Sequence, residues 1–501
     1  MPVVLGLLAS VFIEQSVQPR PKWLWQRDAG SISVHFGLWL AVFAIEFLQF
    51  RRPWMSTAIV SVIYVVMVLI NHAKYQALRE PFLYQDFDYF VDALKHPRLY
   101  LPFFGVWKII GCVSALILVL WLSVQLEDAL TVRYAVSQVW LTFAVVVLVS
   151  IMLLWAGNSS LAKGKVASFN AKEDIVEFGL LGSIWRYGQA ERKPPVNLGG
   201  LSSLPLDSTG QHSHVIVVQS ESFFDPRHDY SQIKPQVLQH FDRVCAQSEQ
   251  HGRLAVDAWG ANTVRTEFSF LTGIKTQAVG VDQFNPYRRL INEKTPSVVR
   301  LMKQRGYRTV CIHPYPASFY RRDRVFPLLG FDEFIDIQSF DPATKEGQYV
   351  SDAAVTDKVV EILAEAELKT EALFIFVITM ENHGPLHLEA LTIEAQQQWL
   401  AQKIPADCED LSVYLKHLAN ADQMINRLTN TLTAIERPGI LVWYGDHVPI
   451  MAKVYDVLGL PDGLTDYFIW SSKTTKRVTS GTKVKTHCVS YLAQSLISLI
   501  D

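Results

Sequence analysis

The sequence predicts an N-terminal multi-span α-helical membrane domain over residues 1–156, a linker over 157–211 and a C-terminal α/β domain over 212–501. Three observations carry that expectation. The first third of the chain holds four apolar stretches of near-spanning length. From about His212, short apolar runs alternate with helical patterns, the mark of strands joined by crossover helices. Half of the 501 residues are hydrophobic and the mean hydropathy is +0.15, high for a chain without a membrane portion.

The apolar stretches are Ser31 to Phe50, Trp54 to Ile70, Gly105 to Val124 and Ala135 to Trp155. Each is close to the roughly 20 residues that cross a bilayer. Pro2 to Ile13 is apolar but short, and reads as a fifth span, a truncated one or a signal-like segment. Arg20, Lys22 and Arg27 precede the second apolar segment, and the positive-inside rule puts them in the cytoplasm. With four spans that rule places the C-terminal domain there too; with five spans and Met1 inside, the domain lies outside. Asn71 to Phe103 is rich in aromatics and charges and reads as an interfacial segment or a connecting loop. Residues 157–211 combine Gly157-Asn158-Ser159-Ser160, an apolar patch at Phe178 to Trp185, Lys193-Pro194-Pro195 and a Gly/Ser/Pro-rich run to Gly210, which together read as a linker.

In the C-terminal part four apolar runs stop at polar residues. His214–Val218 leads into Gln219-Ser220-Glu221, and Tyr307–Ile312 ends at His313. Leu373–Met380 runs into Glu381-Asn382-His383, and Leu441–Tyr444 into Gly445-Asp446-His447. Such runs predict parallel strands buried on both faces, with Val355 to Ala366 and Leu411 to Ile435 as covering helices. In such sheets ligands bind beyond the carboxyl ends of the strands. The four ends would gather Glu221, Asp446, His313, His383 and His447 on one edge, a metal-site composition. Thr263 follows the small-residue turn Trp259-Gly260-Ala261-Asn262 and precedes a predicted helix through Phe268 and Leu271. A helix start favours an anion, and a metal beside a hydroxyl makes it a nucleophile, although a Thr there is also an ordinary N-cap. The net charge of −2 excludes the basic footprint of a nucleic-acid binder. Cys112, Cys245, Cys311, Cys408 and Cys488 form no C-x-x-C pair, so neither a disulfide framework nor a Cys-type zinc site is expected. His387, His417 and His487 have no motif around them and read as surface or core residues.

Taken in order, the motifs resemble those of the lipoteichoic acid synthase family within the alkaline phosphatase and sulfatase superfamily. They are Ser220-Glu221-Ser222, Asn262-Thr263 with Glu267-Phe268, His313 with Ser318 to Asp323, Asn382-His383-Gly384-Pro385, and Gly445-Asp446-His447. The resemblance implies a sulfatase-like catalytic domain behind membrane helices, in the cytoplasmic membrane and facing outside. It implies that Glu221, Thr263, Asp446 and His447 bind one divalent metal, manganese first, with magnesium or zinc as alternatives. It implies Thr263 as the nucleophile that takes phosphoglycerol from phosphatidylglycerol and passes it to a glycan or glycerophosphate acceptor. His313, Arg322 and His383 would hold the substrate's phosphate and glycerol oxygens. Val264-Arg265-Thr266 departs from the small polar residues usual after the nucleophile, which leaves acceptor and headgroup open. The alternative is a phosphoethanolamine transferase; those relatives usually carry several disulfides, which the sparse cysteines here do not favour. A sulfatase would need a Cys/Ser-x-Pro-x-Arg motif, absent around Thr263.

Overall fold

The computed structural model describes residues 1–88, 105–158, 165–195, 201, 212–473 and 485–500. The chain divides into two compact units, 1–194 and 195–501.

The first unit is helical: α1 (Pro2–Glu14), α2 (Ala29–Phe50), α3 (Pro53–Leu78), α4 (Val106–Leu126), α5 (Val136–Asn158) and α6 (Ala171–Glu191). Among the described residues four helices, α2 to α5, are long and apolar enough to cross a membrane. The 13 residues of α1 reach only ~20 Å, short of the hydrocarbon core. The stretch expected as a linker contains α6, which packs in this unit with Ile175, Phe178, Leu180 and Tyr187 buried. The apolar patch that begins at Phe178 is thus part of a helix core instead of a linker. Gly179 interrupts α6 at φ +77°, and a side chain there would run into Arg27 and Glu14. Arg27 Nη1 pairs with Glu14 Oε2 at 2.6 Å, and Leu180 N donates to Glu14 Oε1 at 3.0 Å. Within the expected interfacial segment, Asn71 to Leu78 continue α3. Phe82 and Leu83 fold back into the unit's core, with Phe82 N donating to Asn71 Oδ1 at 2.8 Å. Residues 89–104, Ser159-Ser160 and most of the Gly/Ser/Pro-rich run lie outside the described residues.

The second unit is built on one eight-stranded sheet. Its strands are β1 (His214–Ser220), β2 (Gln250–Ala255), β3 (Arg308–Ile312), β4 (Glu333–Ile335), β5 (Leu373–Ile378), β6 (Gly439–Gly445), β7 (Thr465–Ser471) and β8 (Thr486–Cys488). They lie in the order β8-β2-β7-β6-β1-β5-β3-β4. The sheet is mixed: β7 runs antiparallel to both neighbours, and every other pairing is parallel. The central strands are uniformly apolar because both faces are covered. Ile216, Val218, Ile375, Val377, Leu441 and Trp443 enter the core under α9 (Asp352–Lys369) and α10 (Glu409–Ala434). The alternate residues Val215, Val217, Phe374, Phe376, Ile440 and Val442 enter the opposite core. There they meet α7 (Thr263–Thr272) and α11 (Val489–Ile500). Val355 to Ala366, expected as a helix, falls within α9, and Leu411 to Ile435 matches α10 except for Ile435, which caps that helix in an extended conformation. All five cysteines are free.

Candidate active site

Register assembles the site. Ser220 on β1 pairs with Gly445 on β6, so Glu221 and Asp446 leave the sheet side by side. A Cβ at Gly445 would strike the Phe223 carbonyl, so this crossing requires glycine. Ser222 turns the chain at φ +53°, a left-handed conformation that aims its N–H at Asp446 Oδ1, 2.9 Å away. Its hydroxyl donates to Glu221 Oε1 at 2.9 Å. Glu221 N donates to Thr379 Oγ1 at 2.9 Å, just past the end of β5. His447 Nε2 lies 3.3 Å from Asp446 Oδ2 and 3.6 Å from Glu221 Oε1. Its Nδ1 faces the Val448 carbonyl at 3.2 Å, which fixes the proton on Nδ1 and leaves the Nε2 lone pair for the centre.

Asn262 precedes α7 in a left-handed conformation, φ +66°, and Thr263 is the first helical residue. The expected N-cap position therefore falls to Asn262, and no side chain caps this helix start. The free N–H end of α7 and the Thr263 hydroxyl face the same place: Thr263 Oγ1 lies 3.5 Å from His447 Nε2. Two bonds lock this turn to the metal-side loop. Gly260 N donates to Val448 O at 3.0 Å, and Thr266 Oγ1 to Asp446 O at 2.8 Å. Left-handed, non-glycine residues beside both Glu221 and Thr263 are the backbone strain that functional sites store.

The ligand-type atoms of Glu221, Asp446 and His447 lie within 4.8 Å of one another, and all three residues are buried. Two carboxylates so placed cannot both ionise at ordinary cost; burial and the Asp446 charge push the Glu221 carboxyl up to about 8. Asp446 Oδ2 is buried without a hydrogen-bond partner. An orphaned carboxylate oxygen, a second carboxylate and an imidazole nitrogen fit a divalent cation.

The substrate-side residues take up a second cluster. Arg322, at the start of α8 (Arg322–Leu329), is buried. Its Nη2 donates to Glu267 Oε2 at 2.8 Å and its Nε to Glu267 Oε1 at 3.2 Å. Nη1 meets His313 Nε2 at 3.1 Å, and His313 Nδ1 meets the Ile378 carbonyl at 3.2 Å. Burial and the Arg322 guanidinium hold His313 well below its usual value, so it is the neutral Nδ1–H tautomer. Both of its nitrogens are engaged: it orients Arg322 instead of offering a free face to a ligand. His383 sits on the turn after β5, held below its usual value by burial. Its Nδ1 is 2.6 Å from the Gly384 carbonyl and 3.2 Å from the Tyr349 hydroxyl, leaving Nε2 as an acceptor.

The sequence reading named Ser222 and Glu267 only as motif members, without a role, and did not single out Thr379, Tyr287 or Tyr349. Tyr287 is the plainest case: its hydroxyl donates to Glu267 Oε1 at 2.6 Å across 20 residues of chain. Only the position of Glu267 one helical turn after Thr263 could have pointed to it.

Comparison with known proteins agrees with this construction. The sulfatase family model matches residues 213–501. The capsular polysaccharide biosynthesis protein RkpI of Rhizobium meliloti is 30% identical over 484 residues, 90% of this chain and 83% of that protein. A putative cyclic beta-1,2-glucan modification protein of the same organism is 28% identical over 286 residues, 54% of this chain and 43% of that protein. Among solved structures, the lipooligosaccharide phosphoethanolamine transferase A of Neisseria meningitidis superimposes with a TM-score of 0.54 at 13% identity. That superposition covers 100% of this chain and 95% of the other, and shows a shared fold.

Proposed function

The chain belongs to the sulfatase family, and on that premise we propose that it is a membrane-anchored transferase moving phosphoglycerol from phosphatidylglycerol to a glycan or glycerophosphate acceptor. One observation carries the reading: a helix-start hydroxyl, Thr263, lies beside a buried Glu221–Asp446–His447 group suited to a divalent cation. Such an ion, manganese first, held by these residues and the Thr263 oxygen, would lower the hydroxyl's pKa and offset phosphoryl charge.

The chain's own groups supply the rest. Thr263 Oγ attacks phosphorus, the bond to the diacylglycerol oxygen breaks, and the hydroxyl proton ends on that oxygen. Phosphoglycerol is then ester-linked to Thr263; an acceptor hydroxyl attacks phosphorus, the bond to Thr263 Oγ breaks, and the acceptor's proton is returned to Thr263 Oγ. His383 Nε2, neutral and unprotonated, is the base available to the acceptor's proton. Arg322 has three of its five N–H groups engaged, leaving two for phosphate oxygens. The names of the two rhizobial relatives favour a glycan over a growing glycerophosphate chain as acceptor. A lipid donor and an envelope glycan together require the catalytic unit outside the cytoplasmic membrane.

Phosphoethanolamine transfer would use the same nucleophile and differ only in headgroup. The deciding experiment supplies the full-length protein with fluorescent phosphatidylglycerol or phosphatidylethanolamine and manganese, and scores diacylglycerol from each. Diacylglycerol released from phosphatidylethanolamine alone replaces this donor, and release from neither refutes lipid-linked transfer.

A further inference from the structure

His417 lies in the middle of α10, fully buried, with a carboxylate on each ring nitrogen. Nδ1 is 2.9 Å from Glu381 Oε1 and Nε2 is 3.0 Å from Glu389 Oε2. Ionised carboxylates only accept, so both nitrogens must donate, and the ring is an imidazolium. The two partners lead to the same place. Glu381 stands two residues before His383, and its carboxylate also accepts from Asp352 N at 2.6 Å and Asn420 Nδ2 at 2.6 Å. Glu389 packs over Gly347, whose φ of +66° and lack of a side chain leave room for that carboxylate. Gly347 is the turn of the ribbon Lys345–Glu346/Tyr349–Val350, and Tyr349 closes on His383 Nδ1 and donates to Gly384 O at 3.1 Å. Lys416, next to His417, ties Glu346 of the same ribbon at 2.5 Å.

We infer that His417 is a positioning residue for the transfer reaction: its imidazolium clamps Glu381 and Glu389, and so fixes the His383 ring from both sides. This rests on the role given to His383 above. The groups facing the clamp are Glu381 after β5, Glu389, Asp352 on α9, and Lys416 with Glu346. The two glutamates raise His417 to about 9, against the effect of burial. Burial and the Glu381 charge push the Asp352 carboxyl well above its usual value.

The test has two arms on the full-length protein in nanodiscs. In the first, nitrogen-15 NMR of labelled histidines follows protonation, with His417→Gln and His383→Ala assigning the signals. His417 should keep both ring protons at pH 8, and His417→Gln should shift the His383 ring signals. A neutral His417 at pH 8, or His383 signals unmoved in His417→Gln, overturns the clamp. This arm needs no turnover, so an enzyme that releases no diacylglycerol counts against the transfer reading alone. In the second, kcat and KM for phosphatidylglycerol are measured for wild type, His383→Ala, His417→Gln and the double variant. Loss of the clamp should lower kcat about 10–100-fold with little change in KM, the scale of a misplaced catalytic group. The double variant should be no slower than His383→Ala, because His417 acts through His383; additive losses overturn the proposal. Should His417→Gln fail to fold, Glu389→Gln loosens the ribbon side alone and should lower kcat in the same way.

Discussion

Glu267→Gln isolates the buried ion pair beneath the pocket. Glu267 and Arg322 expose 0% and 2% of their side chains, and they share two hydrogen bonds of 2.8 and 3.2 Å. The amide keeps the shape but removes the charge, and turns one acceptor into a donor facing Arg322 Nη2. Arg322 is then a buried guanidinium beside a neutral His313, with no countercharge. Breaking one side of a buried pair costs about 3–5 kcal/mol, a large share of the roughly 5–15 kcal/mol of a typical domain. With an unfolding entropy of about 2.1 cal/mol/K per residue over about 300 residues, the melting midpoint should fall by roughly 5–8 °C. The assay is thermal unfolding of the full-length protein followed by near-UV circular dichroism. The double variant Glu267→Leu/Arg322→Met removes both charges and should recover most of that loss while staying inactive, since a phosphate ligand is gone. A single variant melting within about 1 °C of wild type would refute the account of a dry, mutually dependent pair.

Thr263→Ala should abolish diacylglycerol release with a stability change of at most about 1 kcal/mol, because the contact of its hydroxyl with His447 Nε2 is long, at 3.5 Å. Thr263→Ser should retain part of the activity, and peptide mass spectrometry of quenched wild type should find phosphoglycerol on Thr263. Asp446→Ala and His447→Ala should each lose the metal, read by elemental analysis of purified protein; full manganese occupancy in either contradicts the ligand set. His417, raised to about 9 in the fold against about 6.5 when unfolded, contributes stability that is fully present below pH 6.5 and is lost as pH rises toward 9. The contribution is about 3 kcal/mol, and melting midpoints measured from pH 6 to 9.5 should show a decline that His417→Gln flattens. A reporter fused after Asp501 should be active only outside the cytoplasm, and activity inside would reverse the proposed topology.

The fold was legible where burial leaves a one-dimensional trace. Strands covered on both faces read as unbroken apolar runs, so β1, β3, β5 and β6 were visible, as were α9 and α10 by their period. Strand β7 was not read, and an apolar run carries no direction that would have shown it antiparallel. Helix α6 was hidden for a different reason: Gly179 breaks its period to admit the Arg27–Glu14 pair, so its halves read as a patch in a linker. Of the site, Glu221, Asp446 and His447 could be placed together because strand ends in register must meet. Ser222 and Thr379 act through a backbone N–H and a bare hydroxyl, which no spacing reveals. His417 was set aside for want of a motif, since its partners lie 36 and 28 residues away in the chain.

Two other buried carboxylates of the catalytic unit, Glu267 and Glu381, show by contrast what sets the Glu221–Asp446 pair apart. Glu267 accepts from Tyr287 and twice from Arg322, and a guanidinium balances its charge. Glu381 accepts from Asp352 N, His417 and Asn420, and an imidazolium balances it. Burial with three donors and a countercharge is how proteins keep a carboxylate in a dry place. Glu221 and Asp446 together receive Ser222 Oγ and Ser222 N on their four oxygens, and Asp446 Oδ2 receives nothing. Among the described residues no Lys or Arg pairs with either; their one basic neighbour is His447, which turns its lone pair toward them. Unlike Glu267 and Glu381, this pair is left short of positive charge beside a helix-start hydroxyl. The missing charge is the one a divalent ion carries, and the hydroxyl stands where that charge would act on it.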